Sequence, residues 1–297
     1  MPRRYLQLDV FADRPGAGNP LGVVLDGDGL DDAAMQALAA WLNLSETVFF
    51  QPPPEGAGYS VRIFTPKGEL PFAGHPSVGS GWAALAHGLA VARDGRLVQH
   101  CGAGLLPVRI EGDGAARRVH VRSPRGEPRA AAFPLDTLPA LARLLDPALP
   151  PQLWNNGPDW WIVALRSEHE LRRYHPELEA IAALSGKGKL AAFAPAAHGE
   201  AGYRYVVRAF APGVGIAEDP VTGSANALVA ARLLQAGLVG PGTGYVASQG
   251  RELGRDGRVE VRVDDDGEVW IGGRVQPVIE GRIDWPANAP SLHRSPA

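Results

Sequence analysis

Apolar and polar residues alternate over residues 5–11, the period-two pattern of a strand with one buried face. A turn at 16–20 leads to a second strand at 21–25. Asp31 and Asp32 then open an amphipathic helix carrying Met35, Leu38, Ala39 and Leu42, with acidic residues where the helix dipole favours them. Strands at 47–50 and 59–64 flank a Pro/Gly-rich turn. The alanine-rich, proline-free stretch 78–87 predicts a mostly buried helix stopped by Gly88. Strands follow near 97–100, 106–110 and 119–122. Residues 123–134 are the least patterned and read as a crossover. The same order then returns. The turn Asn155-Asn156-Gly157-Pro158 precedes a strand at 160–165, and a helix at 176–184 has proline in its first turn. Strands at 190–193 and 205–210 lead to a second alanine-rich helix, 224–236, stopped by Gly237. Strands near 244–248, 259–263, 268–272 and 275–283 complete the pattern. The acidic run Asp264-Asp265-Asp266 reads as a turn, and residues from Pro286 onward as a loose tail.

The recurrence extends to individual residues. Arg62-Ile63-Phe64-Thr65-Pro66 is echoed by Arg208-Ala209-Phe210-Ala211-Pro212. Each then runs through a short loop into Pro-x-x-Gly-Ser, once at Pro76–Ser80 and once at Pro220–Ser224. The two prolines lie 144 positions apart. Ala57-Gly58-Tyr59 matches Ala201-Gly202-Tyr203. A match this long, in one order, implies two similar halves and a site where their equivalent loops meet. The expected fold is α+β: two pseudo-symmetric halves, each a curved sheet rolled around a central helix. The halves are placed at 1–122 and 123–297, with the C-terminal segment free to return to the first half.

Composition narrows the class. The 297 residues fit two domains of roughly 140–150 residues. A net charge of −3 gives no basic footprint for nucleic acid. The single cysteine, Cys101, rules out an internal disulfide and a cysteine-rich metal site, and reads as a small apolar filler on a strand. No apolar run reaches the roughly 18 residues of a membrane span, and no signal segment opens the chain. The default expectation is a cytoplasmic protein without nucleic-acid or membrane partners.

Five positions carry candidate chemistry. Gly79-Ser80 and Gly223-Ser224 are read at the starts of the two buried helices, where free N–H groups and small residues suit an anion such as a carboxylate. Alternatively, the glycines permit tight turns and the hydroxyls cap. His75 and Asp219 hold the same place in the two copies. A histidine opposite an aspartate suits complementary acid–base roles; each also suits an ordinary N-terminal cap. Glu46 sits between a helix end and an apolar strand, as a general base with a raised pKa would, or as a solvent-facing residue at a strand start. Gly186-Lys187-Gly188-Lys189 lacks Walker spacing. The histidines form no metal-ligand pattern, so no metal is expected. No Gly-x-Ser-x-Gly elbow surrounds Ser80 or Ser224. Trp160 and Trp161 read as core aromatics.

Asn19-Pro20, Ser45-Glu46-Thr47, the run Glu69-Leu70-Pro71-Phe72-Ala73-Gly74-His75-Pro76 and Glu218-Asp219-Pro220-Val221-Thr222-Gly223-Ser224-Ala225 together resemble the PhzF-like phenazine-biosynthesis family. The similarity runs from Asp9 to about Ile279. The resemblance implies the diaminopimelate-epimerase-like fold, with the active site between two halves. It implies isomerisation without a cofactor, by moving a proton between carbons of a small carboxylated substrate. In the phenazine enzyme that substrate is trans-2,3-dihydro-3-hydroxyanthranilate. The resemblance makes Glu46 the base, with His75 and Asp219 beside it in catalysis. It assigns Asn19, Gly74, Thr222, Gly223 and Ser224 to substrate binding. Similar proteins are often homodimers, which extends to this chain by analogy. Two-thiol epimerases of the same fold need a cysteine from each half, and neither loop here has one. An amino-acid epimerase and a non-catalytic metabolite-binding protein on the same scaffold are the alternative readings.

Overall fold

The structure, a computed structural model, describes residues 2–197 and 202–288. The predicted tail lies outside the described residues from position 289 onward. By backbone contacts the chain divides into two compact units. The first comprises Met1–Val10, Pro20–Val119 and Arg274–Ala297; the second comprises Phe11–Asn19 and His120–Gly273.

In the first unit, β1 (Arg3–Val10) pairs antiparallel with the last described strand, Val275–Ile283, through a register shift between Gln7 and Leu8. β2 (Asn19–Val24) runs parallel to β3 (Glu46–Gln51), which is antiparallel to β4 (Tyr59–Thr65). β4 pairs with the short β5 (Gly68–Leu70) and, in parallel, with β6 (Arg96–Cys101). β6 turns back into β7 (Gly104–Glu111). Helix α1 (Asp32–Leu42) starts as its sequence dictates: the Asp31 side chain accepts from Ala34 N, and Asn43 ends it in the left-handed region. It packs Met35, Leu38 and Ala39 with Val24, Phe49 and Phe64. Trp285 donates to the Ala34 carbonyl, and Ala287 O accepts from Asp31 N, so the chain just before the predicted tail is tied to this helix.

Helix α2 (Gly74–Ala86) is the core of this unit, with most of its residues buried against β1, β3, β4, β6 and the last strand. Its small residues make that enclosure possible. A Cβ on Gly79 would run into the Leu21 side chain and stand 3.0 Å from Val10 Cγ2. One on Gly81 would meet Val119 at 3.0 Å and Tyr59 Oη at 3.2 Å. The helix begins four residues before the predicted start at Val78. Pro76 is therefore inside its first turn, where a missing N–H costs nothing.

The second unit opens with β8 (Arg118–Arg122), which crosses into it, and β9 (Glu127–Arg129). The predicted crossover thus contains a strand, short and fully exposed, paired with β10 (Gln152–Asn155) after the small helix α3 (Pro139–Ala142). β10 forms a hairpin with β11 (Asp159–Ala164). Between β11 and β12 (Leu190–Pro195) lie three short helical pieces: α4 (Glu168–Arg173), α5 (Leu178–Ala182) and the single turn α6 (Ser185–Gly188). The single helix expected over 176–184 is thus shorter. Ser167, whose hydroxyl accepts from Glu170 N, caps the unforeseen α4. β12 is antiparallel to β13 (Tyr205–Ala211), which pairs with β14 (Ile216–Asp219) and, in parallel, with β15 (Thr243–Gln249). β16 (Gly257–Val263) and β17 (Val269–Gly273) follow antiparallel, joined by the predicted turn at Asp264. Helix α7 (Gly223–Gln235) is enclosed by β11, β12, β16 and β17.

The order of pairings recurs between the units. β2–β3–β4 with β5 and β6 matches β11–β12–β13 with β14 and β15, parallel and antiparallel in the same sequence. The class is α+β, with a sheet around a central helix in each unit. Cys101 is buried and unpaired in β6, as its sequence setting predicts. Among the described residues no helix is long and apolar enough to cross a membrane.

Candidate active-site residues

In the first unit the parallel pairing of β2 with β3 sets Glu46 opposite Leu21, at the first position of its strand. His75 is the second residue of α2, inside the helix rather than capping it; Ala73 holds the cap position and makes no side-chain bond. His75 Nδ1 lies 3.3 Å from Glu46 Oε2, the two side chains being 6% and 17% exposed. Burial pushes the imidazole pKa down to about 3, against the opposing effect of the Pro20 carbonyl. The ring is therefore neutral at pH 7, and the contact is between a neutral imidazole and a carboxyl group. His75 Nε2 is buried without a hydrogen-bond partner. Gly74, also buried, is the first residue of the helix.

Gly79 and Ser80 do not form the helix-start anion site expected of them. Both lie in the helix interior: Gly79 serves close packing, and Ser80 Oγ bonds Ser77 O and Gln99 Oε1, each at 3.2 Å. Gln99, fully buried on β6, also donates to Ser77 Oγ at 3.0 Å and accepts from Tyr59 Oη at 3.0 Å.

In the second unit α7 does start at Gly223-Ser224, with Thr222 extended at the cap position. The Thr222 hydroxyl does not cap. It donates to Asp219 Oδ2 at 2.6 Å, while Asn19 Nδ2 donates to Asp219 Oδ1 at 3.2 Å and to Val221 O at 2.8 Å. Asp219 keeps partial exposure, yet the protein packed around its carboxyl pushes its pKa up to about 6. Thr222, Asn19 and Lys189 hold it down and Glu218 adds to the rise. Ser224 Oγ accepts from Trp160 Nε1 at 3.1 Å, and Ser224 O from Asn156 Nδ2 at 3.1 Å. Trp160 is buried, as a core aromatic should be, but its N–H is committed to Ser224, a candidate site residue.

Gln99 and Gln249 escaped the sequence reading, and Asn156 reads there only as a turn residue and Trp160 only as a core aromatic. A glutamine in an apolar strand looks the same whether it faces solvent or a helix start; only burial separates the two. Among the described residues no three His, Cys, Asp or Glu side chains gather as a metal-binding group.

Residues 8–281 match the family described as phenazine biosynthesis-like protein (PhzC-PhzF). Trans-2,3-dihydro-3-hydroxyanthranilate isomerase of Pseudomonas aeruginosa is 33% identical over 284 residues, covering 94% of this chain and 98% of its own length. An uncharacterized isomerase of Deinococcus radiodurans is 36% identical, covering 95% of this chain and 94% of its own length. The crystal structure of a PhzF-family phenazine biosynthesis protein from Bacillus anthracis superposes with a TM-score of 0.84 at 25% identity, over 95% of this chain and 99% of that one.

Proposed function

The chain belongs to the phenazine biosynthesis-like protein family and is an isomerase; from that premise we propose that it moves a proton between carbons of a small carboxylated substrate. The observation that carries this reading is the Glu46 carboxyl group beside a buried, neutral His75. Glu46 is the base that takes the proton from carbon and returns it to another carbon. Neutral His75 suits a relay or hydrogen-bonding role, because its Nε2 is left for the substrate. Gly74 lets the substrate approach the helix backbone. Asp219, held near half-ionisation at about pH 6, both accepts and donates hydrogen bonds under ordinary conditions. Gly223, Ser224 and Thr222 begin α7, whose first N–H groups have no partners within the helix, and suit the substrate carboxylate. Asn19 holds Asp219 and Val221 in place. General acid–base catalysis of this kind supplies roughly 10²–10⁴-fold. The matched pairing order of the two units supports reading them as copies of one ancestral half.

Trans-2,3-dihydro-3-hydroxyanthranilate, on which the Pseudomonas relative acts by name, is the first compound to test, with product followed by NMR. Glu46→Gln is expected to lower kcat by at least about 10²-fold while thermal unfolding stays unchanged. Wild-type turnover in that variant would remove Glu46 as the base. A double-mutant cycle of Glu46→Gln with Asp219→Asn tests whether both residues serve one reaction, since residues acting as a unit lose activity non-additively.

A further inference from the structure

Gln249 ends β15 and is almost completely buried, 1% exposed. The orientation of its amide is forced by its neighbours. The Thr222 N–H can only donate, so the atom 3.0 Å away is Oε1; the Asp219 carbonyl can only accept, so the atom 3.0 Å from it is Nε2. Oε1 also accepts from Asn226 Nδ2 at 2.8 Å, and that same nitrogen donates to Thr222 O at 2.9 Å. The second hydrogen of Nε2 goes to Thr222 Oγ1 at 3.0 Å. A hydroxyl has one hydrogen of its own. With Gln249 donating to Thr222, that hydrogen is delivered to Asp219 Oδ2, at the 2.6 Å typical of a charge-assisted bond.

We propose that Gln249 is a positioning residue for Asp219: by fixing the direction of the Thr222 hydroxyl it commits Oδ2 as an acceptor and leaves Oδ1, with the longer bond from Asn19, as the oxygen that exchanges the proton. A proton on Oδ2 would point at an oxygen whose own hydrogen has nowhere to turn. The chain of donors thus runs one way, from Gln249 through Thr222 to Asp219. The inference rests on Asp219 belonging to the site, and goes beyond that reading in naming what sets its proton-bearing atom.

The test is the carboxyl ¹³C titration of Asp219 in the full-length protein without substrate, with the neighbouring charges Glu218 and Lys189 left unchanged. Gln249→Met frees the Thr222 hydroxyl to turn and accept from protonated Asp219. The Asp219 midpoint is then expected to rise by up to about one pH unit, the worth of the one hydrogen bond that the neutral carboxyl group gains. Thr222→Val is expected to raise it similarly, and the double variant no further than Thr222→Val alone. A wild-type midpoint in Gln249→Met, or a full extra shift from it in the Thr222→Val background, would overturn the proposal. Should Gln249→Met not fold, Gln249→Glu keeps the size and the acceptor but loses the donor. Its new charge acts equally in both backgrounds, so the relay requires a smaller shift in the Thr222→Val background; equal shifts overturn it. The titration needs no turnover, so an inactive wild-type enzyme would sink the isomerase reading without touching this one.

Discussion

The repeated Arg-x-Phe motif offers a test in which sequence is held constant and burial varies. Arg208 binds Glu218 through two bonds, at 2.9 and 2.8 Å, and donates to the carbonyls of Leu171 at 3.1 Å and Tyr174 at 2.6 Å. Its guanidinium lies 4.9 Å from the Phe210 ring centroid. The two charged side chains are only 5% and 9% exposed. Arg62 makes the corresponding paired bonds to Glu69, at 2.7 and 2.6 Å, and sits 5.1 Å from Phe64, but its side chain is 29% exposed and that of Glu69 40%. Arg208→Met leaves the Glu218 carboxylate buried without its partner and two carbonyls without a donor, a loss of about 3–5 kcal/mol. Arg62→Met removes pairs with Glu69 and with the exposed Asp32 that water already screens, and the expected cost is about 0–1 kcal/mol. Urea unfolding followed by circular dichroism reads the difference as the shift in midpoint multiplied by an unchanged slope. Replacing both partners, Arg208→Met with Glu218→Met, removes the stranded charge and is expected to recover most of the loss. Equal losses at the two arginines, or no recovery in the double variant, would refute the claim that burial decides the worth of this motif.

Two further predictions concern stability. His75 has its pKa lowered from 6.5 to about 3, so the unfolded chain takes up a proton in that window while the folded protein does not. The His75 contribution to stability is therefore present above pH 6.5 and lost as pH falls towards 3; His75→Gln is expected to flatten the stability profile over that range in acid titrations. Gly79→Ala drives a methyl group into Leu21 and Val10 and is expected to cost about 1–3 kcal/mol, whereas Gly68→Ala enters open space and is expected to stay within about 0.5 kcal/mol, both read by thermal unfolding.

What was legible in the chain follows local physical rules. Helix α1 was visible because Asp31 caps it and its apolar residues recur at helical spacing. The two core helices were visible because only alanine- and glycine-rich surfaces fit inside a closely wrapped sheet. The motifs around Glu46, His75 and Asp219 marked the candidate residues, and the adjacency of Glu46 and His75 within one unit gave two of them a shared setting. The starts of the helices were harder. Pro76 and Pro220 stand at equivalent places, yet α2 begins before the first and α7 after the second, because Ala73 and Thr222 are the positions where the backbone leaves its extended form. The anion-site reading of Gly79-Ser80 failed for that reason.

Sequence alone determined the class of fold, the recurring order of elements and which candidate side chains are present, since these depend on periodicity and on the functional groups in the chain. Tertiary structure decided their protonation and direction. Burial keeps His75 neutral and lifts Asp219, and Gln249 and Trp160, far away in the chain, aim the hydroxyls of Thr222 and Ser224. Desolvation and hydrogen-bond direction belong to the packed surroundings of a group, and no spacing along the chain encodes them.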